Sequence, residues 1–301
     1  MGTEQIGFIA ACVAAIAAII AAVVAAKAQQ GVERMKVQFR HFEEIETLKR
    51  RYSTPLLKSA EELYNKLNDV VRNRFRTCRY FTKLPDSIVN IRSIGDVLSS
   101  DTTVYLASVL YLFARYFASI EAIKKDVGLL QLASDEETRA LQRRLRQTVA
   151  VFFSGRSLKD FKIREAHSLK YRGVIMEGAQ VLIGESMLIE KDGTHECISF
   201  YEFCSKIATD KDFRQCLSPL FNFLGGLQEV RGITYESDDI DFRWPKLIIF
   251  ASFLRELIRQ IDIAKVMTLL PELEQYEQKY IAEHDDIRKN LEGFRVAHPD
   301  P

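Results

Sequence analysis

Residues Ile6 to Ala26 read IGFIAACVAAIAAIIAAVVAA, an apolar run without a charge, a proline or an amide side chain. As a helix rising ~1.5 Å per residue, its 21 residues reach about 31 Å, close to the ~30 Å hydrocarbon core of a bilayer. A helix suits that setting because every backbone amide finds its partner within the segment. Alanine favours the helix but adds little insertion energy. The drive into lipid falls to Ile6, Phe8, Ile9, Val13, Ile16, Ile19, Ile20, Val23 and Val24. The run therefore predicts an N-terminal, single-pass transmembrane helix over 6–26.

Two other readings fit less well. A cleaved signal peptide starts with basic residues and has a shorter apolar core; this chain starts Met-Gly-Thr-Glu-Gln, although Ala26-Lys27-Ala28 has a small-x-small pattern. A buried alanine helix of a soluble protein is the other. Gly2 does not signal myristoylation, because position 6 is Ile rather than Ser or Thr.

Orientation follows the cations. None precedes the run, and Lys27, Arg34, Lys36 and Arg40 follow it. The positive-inside bias then expects residues 1–5 outside, and the rest of the chain in the cytoplasm beneath the cell's inner (plasma) membrane. Ala10, Ala14, Ala18 and Ala22 recur every fourth residue, a small-residue stripe of the kind that lets helices associate in lipid. A homo-oligomer or a protein partner is therefore expected.

Downstream composition describes a foldable globular chain, with 47% hydrophobic and 28% charged residues. Seven prolines leave room for long helices. The net charge of +1 is unevenly spread: residues 27–83 hold 14 Lys/Arg against 7 Asp/Glu, and residues 265–301 hold 5 against 8. The cationic part thus lies nearest the expected membrane, where anionic headgroups favour it. Five cysteines, odd in number and widely spaced, fit free thiols better than a disulfide framework.

Helical periodicity dominates the rest. Val32, Met35, Phe39 and Phe42 fall 3, 4 and 3 apart, so the span either continues as a juxtamembrane stalk over 27–51 or breaks near Gly31. A helical cytoplasmic domain is expected over 52–294, with a flexible tail at 295–301. Within it, Pro55 opens a helix from Leu56 to about Phe81, and 84–100 reads as a connector. Ser100 or Asp101 caps a strongly apolar helix to about Val127. Its segment 104–120 tempts a second transmembrane reading, but Arg115, the flanking charges and interior polar residues favour a core helix. Ser134-Asp-Glu-Glu137 is a capping-box pattern for a helix to about Phe153, and another helix is expected over 174–189. Asp192-Gly193 signals a turn, placing a small β-hairpin near 187–198. Ser199-x-x-Glu202 is a second capping box, Asp210 starts a helix closing at Gly225-Gly226, and Pro245 opens a helix over 246–270. The fold class is all-α, a multi-helix bundle behind a membrane anchor.

Two groups of motifs carry a resemblance. They are Tyr52-x-x-Pro55-Leu-Leu-x-x-Ala60-x-x-Leu63, and Gln180-Val-Leu-Ile-Gly-Glu-Ser-Met187 with His195-Glu-Cys-Ile-Ser-Phe-Tyr-Glu-Phe203. Together they resemble uncharacterised bacterial proteins with one N-terminal membrane segment and a helical cytoplasmic region. That resemblance implies an architecture and an inner-membrane setting, and no activity.

Candidate chemistry is sparse. His195-x-Cys197 with Cys204 and Cys216 lacks the paired two-to-four spacing of zinc modules, so no metal is expected. Glu177 and Glu185, eight apart on one helical face, are conceivable paired carboxylates, with ion pairs to Lys170 and Arg172 the simpler reading. The stretch 72–83 mixes Arg72, Arg74, Arg76, Arg79 and Lys83 with aromatic residues. It reads as a solvated basic face, as a headgroup contact or as a nucleic-acid site, the last disfavoured by the near-neutral net charge. No phosphate-cradling glycine loop, nucleophile elbow or HExxH motif appears. Neither catalysis nor a cofactor is expected. An interaction role fits best, with a tethered enzyme or ligand-sensing domain as the rival.

Overall fold

The structure is a computed structural model that describes residues 27, 29–37, 53–71, 74–82, 91–126, 136–153, 174–227 and 243–261. The run 6–26, with its alanine stripe, lies outside these residues. The chain divides into two units, Met1–Arg51 and Tyr52–Pro301.

In the first unit, residues 29–37 form one helix that passes through Gly31 without a break. Val32, Met35 and Val37 are exposed on it.

The second unit is mostly helical, like the described residues as a whole, of which 84% are helical. Its described helices are α1 (53–71), α2 (Arg74–Thr82), α3 (Ile94–Leu98), α4 (Asp101–Asp126), α5 (Glu136–Phe153), α6 (Glu177–Ser186), α7 (Phe200–Thr209), α8 (Lys211–Leu224) and α9 (Arg243–Ile261). Between α6 and α7, β1 (Leu188–Lys191) and β2 (Thr194–Cys197) form a two-stranded antiparallel sheet.

Helix α4 is the hub. Ser100 caps it, its Oγ accepting from the Thr103 amide at 3.1 Å, and Lys124 and Lys125 complement the dipole at its last turn. It is apolar around most of its circumference, as a helix enclosed by others must be. Among the described residues, Asp101–Lys125 is the one helix long and apolar enough to cross a membrane, and 67% of its most apolar window is buried inside the protein. Helices α2, α3, α6, α7 and α8 and strand β2 all pack on it, while α5 and α9 pack on each other.

The core is aromatic where these layers meet. Phe152 of α5 stacks edge-on against Phe223 of α8 (5.3 Å between centroids) and lies 4.6 Å from Phe250 of α9. Phe113 and Phe117 of α4 close the cluster at 6.0 and 6.1 Å from Phe152.

Local signals set the connections. Ser199 and Glu202 form the capping box of α7. The Asp210 carboxylate caps α8, accepting from the amides of Asp212 and Phe213 at 2.9 and 3.0 Å. Asp192 and Gly193 both have positive φ, 51° and 71°, as a two-residue type I′ hairpin turn requires. Pro219 sits inside α8, where it removes one ladder bond; burial of Leu217, Leu220, Phe223 and Leu224 keeps the helix running.

Four expectations shift. The helix expected to open at Pro55 already runs from residue 53, so Pro55 lies within its first turn. The connector 84–100 contains α3, started by a Ser93/Asp96 capping box. The helix expected over 174–189 is shorter, Glu177–Ser186, because Leu188 onward is strand. The last described helix starts at Arg243, so Pro245 lies within its first turn rather than before it.

Candidate functional site

The described residues hold one cleft of interest, between α4, α5 and α6. Phe117, Ile120, Glu121, Lys124, Val149, Glu177, Gln180 and Val181 line it, and about 10 Å³ is open to solvent there, roughly one water. The helix crossing makes its floor polar. Gly184 lets α6 approach until a Cβ would stand 2.8 Å from the Glu121 Cγ. The Glu121 carboxylate accepts from Lys124 Nζ at 2.6 Å. One turn before Gly184, Gln180 is buried and donates its Nε2 to the carbonyls of Ile175 (2.8 Å) and Val149 (3.1 Å). Those bonds fix the amide, and its Oε1 is buried without a hydrogen-bond partner.

Glu177 and Glu185, whose spacing suggests paired carboxylates, are not brought together in this cleft. Glu177 is exposed at its rim, while Glu185 pairs across the crossing with Lys125 at 2.8 Å. Lys170 and Arg172 lie outside the described residues.

A second polar group joins α1, α2 and α4. Tyr105 donates to Asp69 at 3.1 Å, and its hydroxyl lies 3.5 Å from the buried Thr77 Oγ1. Lys66 Nζ sits 3.8 Å over the Tyr105 ring and 3.7 Å from Asp69. Burial lowers the Lys66 pKa, against the pull of the Asp69 carboxylate; burial likewise raises that of Tyr105. These groups satisfy one another and brace α1 and α2 on the hub. Nearby, Arg115 pairs with Glu62, and Tyr111 donates to the Ile198 carbonyl at 3.1 Å. Burial pushes the Tyr111 phenol up to about 12.

Two of the described thiols, Cys197 and Cys204, sit in surroundings that favour the neutral thiol. Burial raises Cys197 to about 12 and Cys204 to about 11, far from the depressed values of reactive cysteines. His195 faces Glu190 across the hairpin. Among the described residues, no group of three or more His, Cys, Asp or Glu could hold a metal ion. The carboxylates moved downward, Asp96 and Glu202, are exposed helix caps, lowered by the backbone amides of Arg92 and Ser199 first.

Of the basic stretch, α2 turns Thr77 and Phe81 into the core and leaves Arg79 exposed. Arg72 and the side chains of Arg74 and Arg76 lie outside the described residues. Sequence reasoning missed the Gln180–Glu121 cleft and Gly184. A glycine beside two apolar residues inside a short helix was the only signal, and it does not name the opposing helix.

No protein family, curated protein or solved structure matches this chain. The resemblance to uncharacterised bacterial membrane proteins therefore rests on its short motifs alone.

Proposed function

We propose that this chain is a single-pass membrane protein of the inner membrane whose helical body faces the cytoplasm and serves as a scaffold, adaptor or regulator of a membrane-associated assembly. The observation that carries this is the uncharged run Ile6–Ala26, of bilayer-spanning length, followed at once by cations. The body supports an interaction role. Leu98, Met176, Leu182 and Tyr201 are each more than half exposed, and an exposed tyrosine such as Tyr201 is of the residue type enriched among the anchors by which partners are held. A contact of the basic residues Arg72, Arg74, Arg76 and Arg79 with anionic headgroups of the same membrane is part of this reading, supported by their charge and by the exposure of Arg79.

The test is affinity purification of the full chain from detergent-solubilised membranes, read by mass spectrometry, beside a Leu182→Asp, Tyr201→Asp variant. Proteins captured by the native chain and lost by the variant support the reading. Identical capture by both contradicts it.

One observation favours the rival, a tethered ligand-sensing domain: the buried acceptor of Gln180 beside Glu121. A small molecule that co-purifies with the native chain, and is lost on Gln180→Leu, would carry that reading instead.

A further inference from the structure

We infer that the cleft between α4, α5 and α6 takes the ammonium head of a small primary amine, recognised by Gln180, Glu121 and Glu177. This rests on the ligand-sensing reading above, and needs neither the anchor nor a protein partner.

The feature that points to a ligand is the Gln180 amide. The residue is 2% exposed, and its orientation is settled, because Nε2 donates to the carbonyls of Ile175 and Val149. Turned over, the amide would set its oxygen against theirs. Its Oε1 has no hydrogen-bond partner among the described residues, and a buried acceptor is costly to leave so. Glu121 lines the same space and is 7% exposed; its carboxylate has room for more than the one bond from Lys124. Glu177 adds an exposed carboxylate at the mouth.

Charge and size select the occupant. Glu121 and Glu177 are two carboxylates and Lys124 is one ammonium, so the lining keeps one negative charge and suits a cation. The open volume of about 10 Å³ takes a single heavy atom of roughly the size of water, which excludes a guanidinium. An ammonium nitrogen fits and carries three donors, one for each acceptor side chain. A divalent metal asks for about six oxygen ligands, and no group of three or more His, Cys, Asp or Glu among the described residues could hold one. Lys124 does not fill the role itself. Its Nζ is spent on Glu121 and its side chain is 51% exposed, while the Gln180 oxygen stays without a donor. The apolar walls, Phe117, Val149 and Val181, suit the alkyl part of such a ligand.

The experiment follows thermal unfolding of the full chain in detergent against methylammonium chloride. Tetramethylammonium chloride at the same ionic strength is the control, since it carries the charge without an N–H. A ligand of the native state raises the midpoint. Methylammonium should raise it in a saturable way, and tetramethylammonium should not. Glu177→Gln should weaken the apparent affinity several-fold, and Lys124→Met, which removes a competing cation, should tighten it several-fold. Both positions are at the exposed rim, so these variants keep the test alive if Gln180→Met, which should abolish the response, does not fold. Propylamine and Nα-acetyl-lysine methylamide, run beside methylammonium, tell a free amine from a protein lysine by the stronger response. No shift with methylammonium, an equal shift with tetramethylammonium, or native affinity in both rim variants would overturn the site. A co-purifying molecule that is lost on Gln180→Leu and is not an amine removes the amine alone; neither a co-purifying molecule nor a methylammonium response removes the ligand-sensing reading with it.

Discussion

Gly184 and Phe117 meet where α6 crosses α4, so close that a Cβ on Gly184 would lie 2.8 Å from the Phe117 carbonyl oxygen. Backbone on the opposing side cannot move aside as a side-chain tip can. Gly184→Ala should therefore destabilise the body by about 1–3 kcal/mol, the usual cost of overpacking. Gly178, on the same helix, has nothing within 4 Å of a built Cβ. Gly178→Ala should stabilise by about 0.5–1 kcal/mol through helix propensity. Thermal unfolding of both variants in detergent separates the effects; a Gly184→Ala midpoint at or above the native one would refute the close crossing.

Arg243 grips the end of α8. It is 2% exposed, and its guanidinium donates to the carbonyls of Phe223, Gly225 and Gly226 at 3.0, 2.8 and 2.8 Å. Phe223 is one of the terminal acceptors that α8 leaves over, and Gly225 and Gly226 are its C-cap and the residue beyond it, all at the negative end of the helix dipole. Arg243→Met should cost about 3 kcal/mol by stranding them. Arg243→Lys should recover only part, since a single ammonium lacks the planar fork. Full recovery by lysine in a chemical unfolding series would count against the three-carbonyl geometry.

Phe152 touches rings from α4, α8 and α9, so its loss opens a cavity that no single element can collapse into. Phe152→Ala should cost about 3–5 kcal/mol. A cost below about 1 kcal/mol in the same unfolding series would mean the cluster is not the centre of the core.

Alkaline stability follows from the tyrosines. Tyr111 is pushed up to about 12 by burial, and Tyr105 and Tyr116 also rise for the same first reason. Their folded pKa values exceed the unfolded value of ~10, so the folded state holds these protons longer. The stabilisation is complete below pH ~10 and is lost as pH rises through the folded values. Phenolate absorbance should show these groups titrating late and together with unfolding. A single transition near pH ~10 with the fold intact would contradict their burial.

What could be read in the sequence was local. The Ser199/Glu202 box, the Asp210 cap and the Asp192–Gly193 turn each need only two to four neighbouring residues, and each is found where its pattern stands. Helix α3 is less legible because Asp96 stands where the familiar pattern has Glu or Gln, although it closes the box equally well. The end of α6 is blurred in the sequence because Met187 and Ile189 continue its apolar spacing into the strand. The cleft, the Gly184 crossing and the Arg243 grip join residues far apart in the chain, and local spacing does not encode which distant backbone arrives.

The membrane anchor proposed for Ile6–Ala26 is tested most directly by fractionating cells that express the full chain with a C-terminal tag. Intact chain should remain in the membrane pellet after an alkaline carbonate wash. Protease added outside spheroplasts should spare the tagged body, and protease added to inside-out vesicles should digest it. Uncleaved chain in the carbonate supernatant, or a body digested from outside, would contradict the anchored, cytoplasm-facing arrangement.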